Sequence, residues 1–303
     1  MRYDLIFAAA TGVPWAIHPE KGEAIAEVLS RLAAGDRAAP HRIAEAAAAK
    51  KPKGKPRRAS VAVLPIYGTI TQRADLFVEW SGGTSTDVLG AQLDELIADA
   101  SVEAIVLDVD SPGGSVYGVE ELAMKIHTAG KQKKVVAVAN SMAASAAYWL
   151  ASQATEVVVT PNGEVGSIGV YMMHRDVSRA LDTRGEKVTL VSAGERKTAG
   201  NPYGPLEGAG LTELQSGVDD YYDKFVRAVA RGRNATLSAV RGGYGQGGMM
   251  RAEAAVKEGM VDRVGTLEQV LSRWGVKPAD LMGADAEVKP DYEVELRKRR
   301  LRL

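Results

Sequence analysis

The sequence has no cysteine among its 303 residues. This excludes a disulfide framework, a thiol nucleophile and any thiolate-bound metal. Histidine is nearly as scarce. His18, His41, His127 and His174 are scattered, and no pair has the spacing of metal ligands on a helix. No excess charge of one sign exists either: Lys plus Arg and Asp plus Glu are 38 each. The composition therefore gives no reason to expect a nucleic acid or an anionic surface as partner. Long hydrophobic runs are missing, none approaching the roughly 18 apolar residues of a membrane span. The stretch Met1–Ala10 has only a faint likeness to a secretory leader, because Asp4 interrupts its charged end and the apolar run is short. A cytoplasmic protein with no cofactor and no bound metal is the expectation. A hydrophobic fraction of 46% is enough for a sizeable core, and the length suits one large domain with appendages.

Periodicity divides the chain into three parts. Residues 1–59 hold an amphipathic helix at Glu20–Ala33, with Ile25, Val28, Leu29 and Leu32 on one face, and a linker running K-K-P-K-G-K-P-R-R from Lys50 to Arg58. Residues 60–275 alternate strand and helix. Strands are expected at Val61–Tyr67, Ala104–Val109, 134–139, 155–159 and Val188–Val191. Helices are expected at Asp87–Ala100, Val119–Thr128, 143–152, 175–184, Leu211–Arg231, Glu253–Lys257 and Leu267–Arg273. That alternation is the signature of parallel βαβ units, hence an α/β fold. Residues 276–303 form a charged tail ending L-R-K-R-R-L-R-L, read as mobile or partner-binding.

Chemistry concentrates in four stretches. Asn140–Ser152 reads N-S-M-A-A-S-A-A-Y-W-L-A-S and places Ser145 where a strand gives way to a helix. Backbone N–H groups without partners gather at such a point, and they suit a developing oxyanion. Asp110–Ser115 reads D-S-P-G-G-S. Its glycines let a backbone approach closely and leave N–H groups of Gly113 or Gly114 free to donate. Gly163–Val170 reads G-E-V-G-S-I-G-V, with the small hydroxyl of Ser167 among glycines. Ser192–Pro202 reads S-A-G-E-R-K-T-A-G-N-P and carries Lys197 in a loop. Each stretch alone is an ordinary turn, or in the last case a solvated lysine. A serine needs a base, and without a histidine in reach a desolvated lysine can serve.

Taken together, S-P-G-G-S at 111–115, S-M-A-A-S-A-A-Y at 141–148, G-S-I-G-V at 166–170 and A-G-E-R-K-T-A-G-N-P at 193–202 resemble the signal peptide peptidase A (protease IV) family of serine peptidases. The likeness is greatest to its phage branch, the head or capsid-assembly proteases, and P-W-A-I-H-P-E-K at 14–21 resembles the phage-type N-terminus. The resemblance implies Ser145 as nucleophile, Lys197 as general base and Ser167 as the hydroxyl that aims the lysine. It implies oxyanion donors at the N–H groups of Gly114 and Ala146, and a substrate groove along Gly113 and Ser115. It further implies the Clp/crotonase type of fold, stacked βαβ units assembling into a homo-oligomeric ring. The substrate would be a scaffold or capsid polypeptide, met in the host cytoplasm or the phage prohead, with the scaffold a separate product.

Many relatives carry Gly-Gly after the nucleophile, where this chain has Ala146-Ala147. Alanine keeps the N–H, so an oxyanion hole survives if φ is negative there. Other readings are a cytoplasmic peptide-degrading relative, a crotonase-type acyl-CoA enzyme and an inactive peptide-binding assembly component. The acyl-CoA reading uses the same paired donors but gives Lys197 and Ser167 nothing to do.

Overall fold

The computed structural model describes residues 14–22, 60–73, 83–194 and 196–276. Two sheets organise them. The larger is built on parallel strands β2 (Val61–Tyr67), β5 (Ala104–Ser111), β7 (Lys134–Ala144) and β8 (Glu156–Val159). β2 pairs β5, β5 pairs β7, and β7 pairs β8, all parallel. Beyond β8 lies β11 (Arg263–Val264), also parallel. β7 outruns its neighbours, and its last residues, Met142–Ala144, pair in parallel with β9 (Glu164–Gly166). The antiparallel β10 (Met249–Arg251) closes that side. The smaller sheet has the order β1 (Trp15–Ile17), β6 (Gly113–Ser115), β3 (Ile70–Thr71), β4 (Thr84–Ser85).

β5 shows why the large sheet is central. Ile105, Leu107 and Val109 enter one apolar cluster, while Ala104 and Val106 enter another on the opposite face. A strand buried on both sides needs apolar residues at successive positions, and A-I-V-L supplies them. The larger cluster is covered by α1 (Thr86–Ala98), α2 (Val119–Ala129), α3 (Ala146–Ala151) and the end of α5 (Gly208–Gly232). α1 starts at Ser85, whose side chain accepts from the Val88 N–H, and it buries Leu89, Leu93 and Leu96 at helical spacing.

α3 is buried along its whole length. Trp149 stacks on Phe225 of α5 at 4.6 Å between ring centroids, a geometry worth roughly 0.5–1.5 kcal/mol beyond the area buried. Tyr148 donates to the Met260 carbonyl at 2.8 Å. The two helices meet so closely at Gly232 that a Cβ there would lie 2.0 Å from the Ser152 carbonyl oxygen. Two short helices add to this side, α6 (Leu237–Gly242) through Val240 and α7 (Ala252–Lys257) through Ala252 and Ala255, while the short α4 (Ser178–Thr183) buries no residue.

On the other face α8 (Leu267–Leu271) lays Val270 and Leu271 on the valines of β2, β5, β7 and β8. Its follow-on turn is held by Glu156, which accepts from Arg273 at 2.7 and 2.8 Å and from Arg263 at 3.0 Å. Arg273 above all, then Arg263, depresses the Glu156 carboxyl from 4.5 to about 2. A carboxylate whose pKa falls on folding adds stability above its unfolded value and loses it as pH drops toward the folded one. The contribution is roughly 1–2 kcal/mol after solvent screening of a partly open site. In urea melts, wild type should exceed Glu156→Gln in stability at pH 6, and the gap should close as pH falls from about 4.5 to 2. A gap unchanged down to pH 2.5 would remove this role.

The structure corrects two expected elements. No strand forms at Val188–Val191: the segment is exposed and lacks a ladder, with Val191 95% exposed. Helix α3 starts at Ala146 and not at Ala143, because β7 extends to Ala144 in order to pair with β9. Of the helix expected at Glu20–Ala33 only residues 20–22 are described, and they are helical; the rest of it, the basic linker and the tail beyond Val276 lie outside the described residues. No described helix is long and apolar enough to cross a membrane.

Candidate active site

Ser145 sits between β7 and α3 with φ 55° and ψ −120°. A non-glycine residue there is strained, by about 1–3 kcal/mol. The neighbours hold it: the Ser145 N–H donates to Gly166 O at 2.7 Å, and its carbonyl accepts from Trp149 N at 2.9 Å. A sharp strand-to-helix turn of this kind presents a nucleophilic hydroxyl. The hydroxyl does not cap the helix. Its recorded contact is the Gly169 carbonyl oxygen, 3.4 Å from Oγ. Ser145 is 0% exposed.

β6 passes alongside this turn. Gly113 has φ +95°, and a Cβ on it would lie 2.9 Å from Ala144 O and 3.0 Å from Ala146 N. Only glycine lets the strand come this near the turn. At Gly114 a Cβ would fall 1.9 Å from Ile70 O, so β3 also depends on a missing side chain. The Gly113 N–H donates to Ser111 Oγ at 3.2 Å, and that hydroxyl donates to Gly68 O at 2.6 Å. Ser115 Oγ accepts from Tyr117 N at 3.3 Å. Ala146 is not among the residues with positive φ, so the alanine in place of glycine costs no strain.

The G-S-I-G stretch arcs around the same point. Gly166 and Gly169 supply the two carbonyls facing Ser145. Ser167, with φ 52° and 5% exposed, is pinned by its N–H to Gly248 O at 2.8 Å. The fold thus gathers Gly113, Gly114, Ser145, Ala146 and Ser167. Lys197 is elsewhere in character: it lies in an exposed turn, its N–H donating to Gly194 O at 3.1 Å. Its side chain makes no hydrogen bond or ion pair with a described residue.

Residues 127–277 match the sequence profile of Peptidase family S49. The chain belongs to this family. It is 38% identical over 170 residues to the capsid assembly protease C of Escherichia phage lambda, covering 56% of this chain and 39% of that protein. It is 32% identical over 204 residues to the head-tail preconnector protein GP5 of Enterobacteria phage P21, covering 67% of this chain and 40% of that protein. Protease 4 of Haemophilus influenzae is 30% identical over 214 residues, covering 70% of this chain and 34% of that protein. The chain therefore spans about two fifths, or less, of the length of these relatives.

In this S49 chain, Ser145 lies in a strained, buried turn flanked by backbone N–H groups, and no charged side chain of a described residue hydrogen-bonds to its hydroxyl. No group of three or more metal-ligating side chains exists among the described residues. Sequence reasoning missed β1 and Tyr171. The Trp15 N–H donates to Tyr171 O at 2.9 Å and the Tyr171 N–H to Trp15 O at 3.0 Å. Strand β1 also pairs with β6. The signal was P-W-A-I-H-P, a recognisable string whose three apolar residues are too few to show a strand period.

Proposed function

We propose that this S49 peptidase is a Ser-Lys endopeptidase of phage head maturation, cutting scaffold or capsid polypeptides. Ser145 attacks the peptide carbonyl while Lys197 takes its proton, Ser167 aims the amine, and the N–H groups of Gly114 and Ala146 hold the oxyanion. Lys197 then protonates the leaving amine, and water frees the acyl group. The observation that carries this reading is the approach of β6 to the Ser145 turn, which brings two donor-bearing segments to one strained hydroxyl. The names of the lambda and P21 relatives support the choice of substrate.

The fold we assign is the Clp/crotonase type, and the working form a homo-oligomeric ring. A lysine base needs dry surroundings. Lys197 is exposed in the lone chain, next to a segment showing Val188, Leu190 and Val191 to solvent. Exposed apolar stretches of this size mark interaction surfaces. A neighbouring subunit covering this one would remove water from Lys197.

The test is chemical. A serine-reactive fluorophosphonate should label the assembled protein on the peptide containing Ser145, as read by mass spectrometry, and block cleavage of a co-expressed scaffold protein. Labelling elsewhere with cleavage unaffected would remove the assignment.

A further inference from the structure

We propose that residues 14–18 are a resident strand in this enzyme's own substrate groove, which must leave before a polypeptide can bind. This deepens the peptidase reading and rests on it. β1 pairs antiparallel with β6 in the register Trp15 to Ser115, Ala16 to Gly114 and Ile17 to Gly113. The flanking bonds are His18 N–H to Pro112 O at 2.8 Å and Val116 N–H to Pro14 O at 3.3 Å. Antiparallel ladders alternate bonded and non-bonded pairs. The pair between those two, Ala16 with Gly114, is therefore one that exchanges both bonds. The Gly114 N–H, the proposed oxyanion donor, is thus turned to a peptide carbonyl of the same chain. A Cβ on Gly113 would stand 2.3 Å from that Ala16 oxygen and 3.0 Å from Ala146 N, so the carbonyl and the second proposed donor crowd one point.

The other edge of β1 is held as well, by the two bonds between Trp15 and Tyr171. An extended segment clamped between two backbones is how proteins capture peptides by strand addition. Here the two walls are the G-G-S stretch and the segment following Ser167. Small Ala16 is the β1 residue whose carbonyl lies beside Gly113, next to the Ser145 turn. Trp15, Ala16 and Ile17 are buried, and Ser145 is 0% exposed. A nucleophile sealed in this way cannot meet a second peptide without a departure. Substrate affinity is then reduced by the fraction of molecules in which β1 is away.

The chain's lack of cysteine makes the test clean. Trp15 and Ser115 form a non-bonded pair, whose close Cα spacing suits a disulfide. Trp15→Cys with Ser115→Cys is made in the full chain carrying Ser145→Ala, so that binding is measured without turnover. The probe is a fluorescein-labelled synthetic peptide copying residues 10–20, followed by polarisation. The reduced protein should bind it at least tenfold more tightly than the oxidised protein, and dithiothreitol should restore binding. Equal affinity in the two states, or no binding by the reduced protein, overturns the proposal. Ala16→Pro, which deletes an N–H of the ladder, is an independent variant; it should raise affinity for the probe about tenfold, and an unchanged affinity counts against the resident strand. The same cysteine pair with Ser145 present separates this idea from the peptidase reading. Reduced protein that binds the probe but never reacts with fluorophosphonate would keep the resident strand and remove the nucleophile.

Discussion

Ser145→Ala and Lys197→Ala are each expected to lower the rate of scaffold cleavage by a factor on the order of 10⁴–10⁶, and the double variant to be no slower than either. The reason is that in the proposed mechanism the two groups act as one unit. Without Lys197 the Ser145 hydroxyl holds its proton, and its nearest recorded partner, the Gly169 carbonyl, can accept but not exchange it. Without Ser145 the amine has nothing to activate. The residual rate in every variant would come from binding and from the Gly114 and Ala146 donors. Gel assays of co-expressed scaffold give the direction, and single-turnover kinetics with a peptide containing the cut site give the magnitude. Two losses that multiply in the double variant would show that Lys197 acts apart from Ser145, and another base would be needed. Because Lys197 is exposed in the lone chain, the assay belongs on the assembled protein. A dilution series should show activity falling faster than concentration if neighbouring subunits cover that surface.

Much of the α/β alternation was legible, and the misses have common causes. β2, β5 and α2 stand within a residue or two of where periodicity puts them, because their residues are buried on two faces or along one helical stripe. β6 was invisible as a strand, since Gly-Gly-Ser has poor strand propensity and is held by backbone bonds on both edges. Ala143 and Ala144 are strong helix formers, yet they lie in β7, where pairing with Val165 and Gly166 overrides propensity. Val188–Val191 shows the opposite failure. A β-branched apolar run signals burial, and within one chain this run has none.

The candidate site divides along the same line. Ser145, Gly113, Gly114 and Ser167 were identifiable as residues, and the structure shows why they must be small: backbone approaches too closely for anything else at the glycines, and both serines hold positive φ. What the sequence did not disclose was β1, because the segment that lies on Gly113–Ser115 comes from nearly a hundred residues earlier in the chain. Contacts of that range are carried by backbone hydrogen bonds, which any residue can accept and any but proline can donate, and which therefore leave little mark on composition.

Gly113→Ala carries the second large expected effect. Alanine at φ +95° is strained by about 1–2 kcal/mol before any contact is counted. The added methyl would then stand 2.3 Å from Ala16 O, 2.9 Å from Ala144 O and 3.0 Å from Ala146 N. All three are backbone atoms, so no side-chain rotation relieves them. Two of the three belong to the turn that carries Ser145. Movement of Ala16 alone would open the groove and favour binding, but movement of Ala144 and Ala146 displaces the donor meant for the oxyanion. Loss of one such donor costs on the order of 10²–10³ in rate, so catalysis should fall by at least that factor even if β1 loosens. Gly169→Ala is the control: its methyl meets nothing within 4 Å, and the carbonyl facing Ser145 is kept. Paired measurement of melting temperature and single-turnover rate separates the outcomes. A Gly113→Ala protein that folds, binds the residue 10–20 peptide more tightly and cleaves slowly would place the damage in the turn. One that folds and cleaves at the wild-type rate would show that β6 does not take part in the oxyanion site at all.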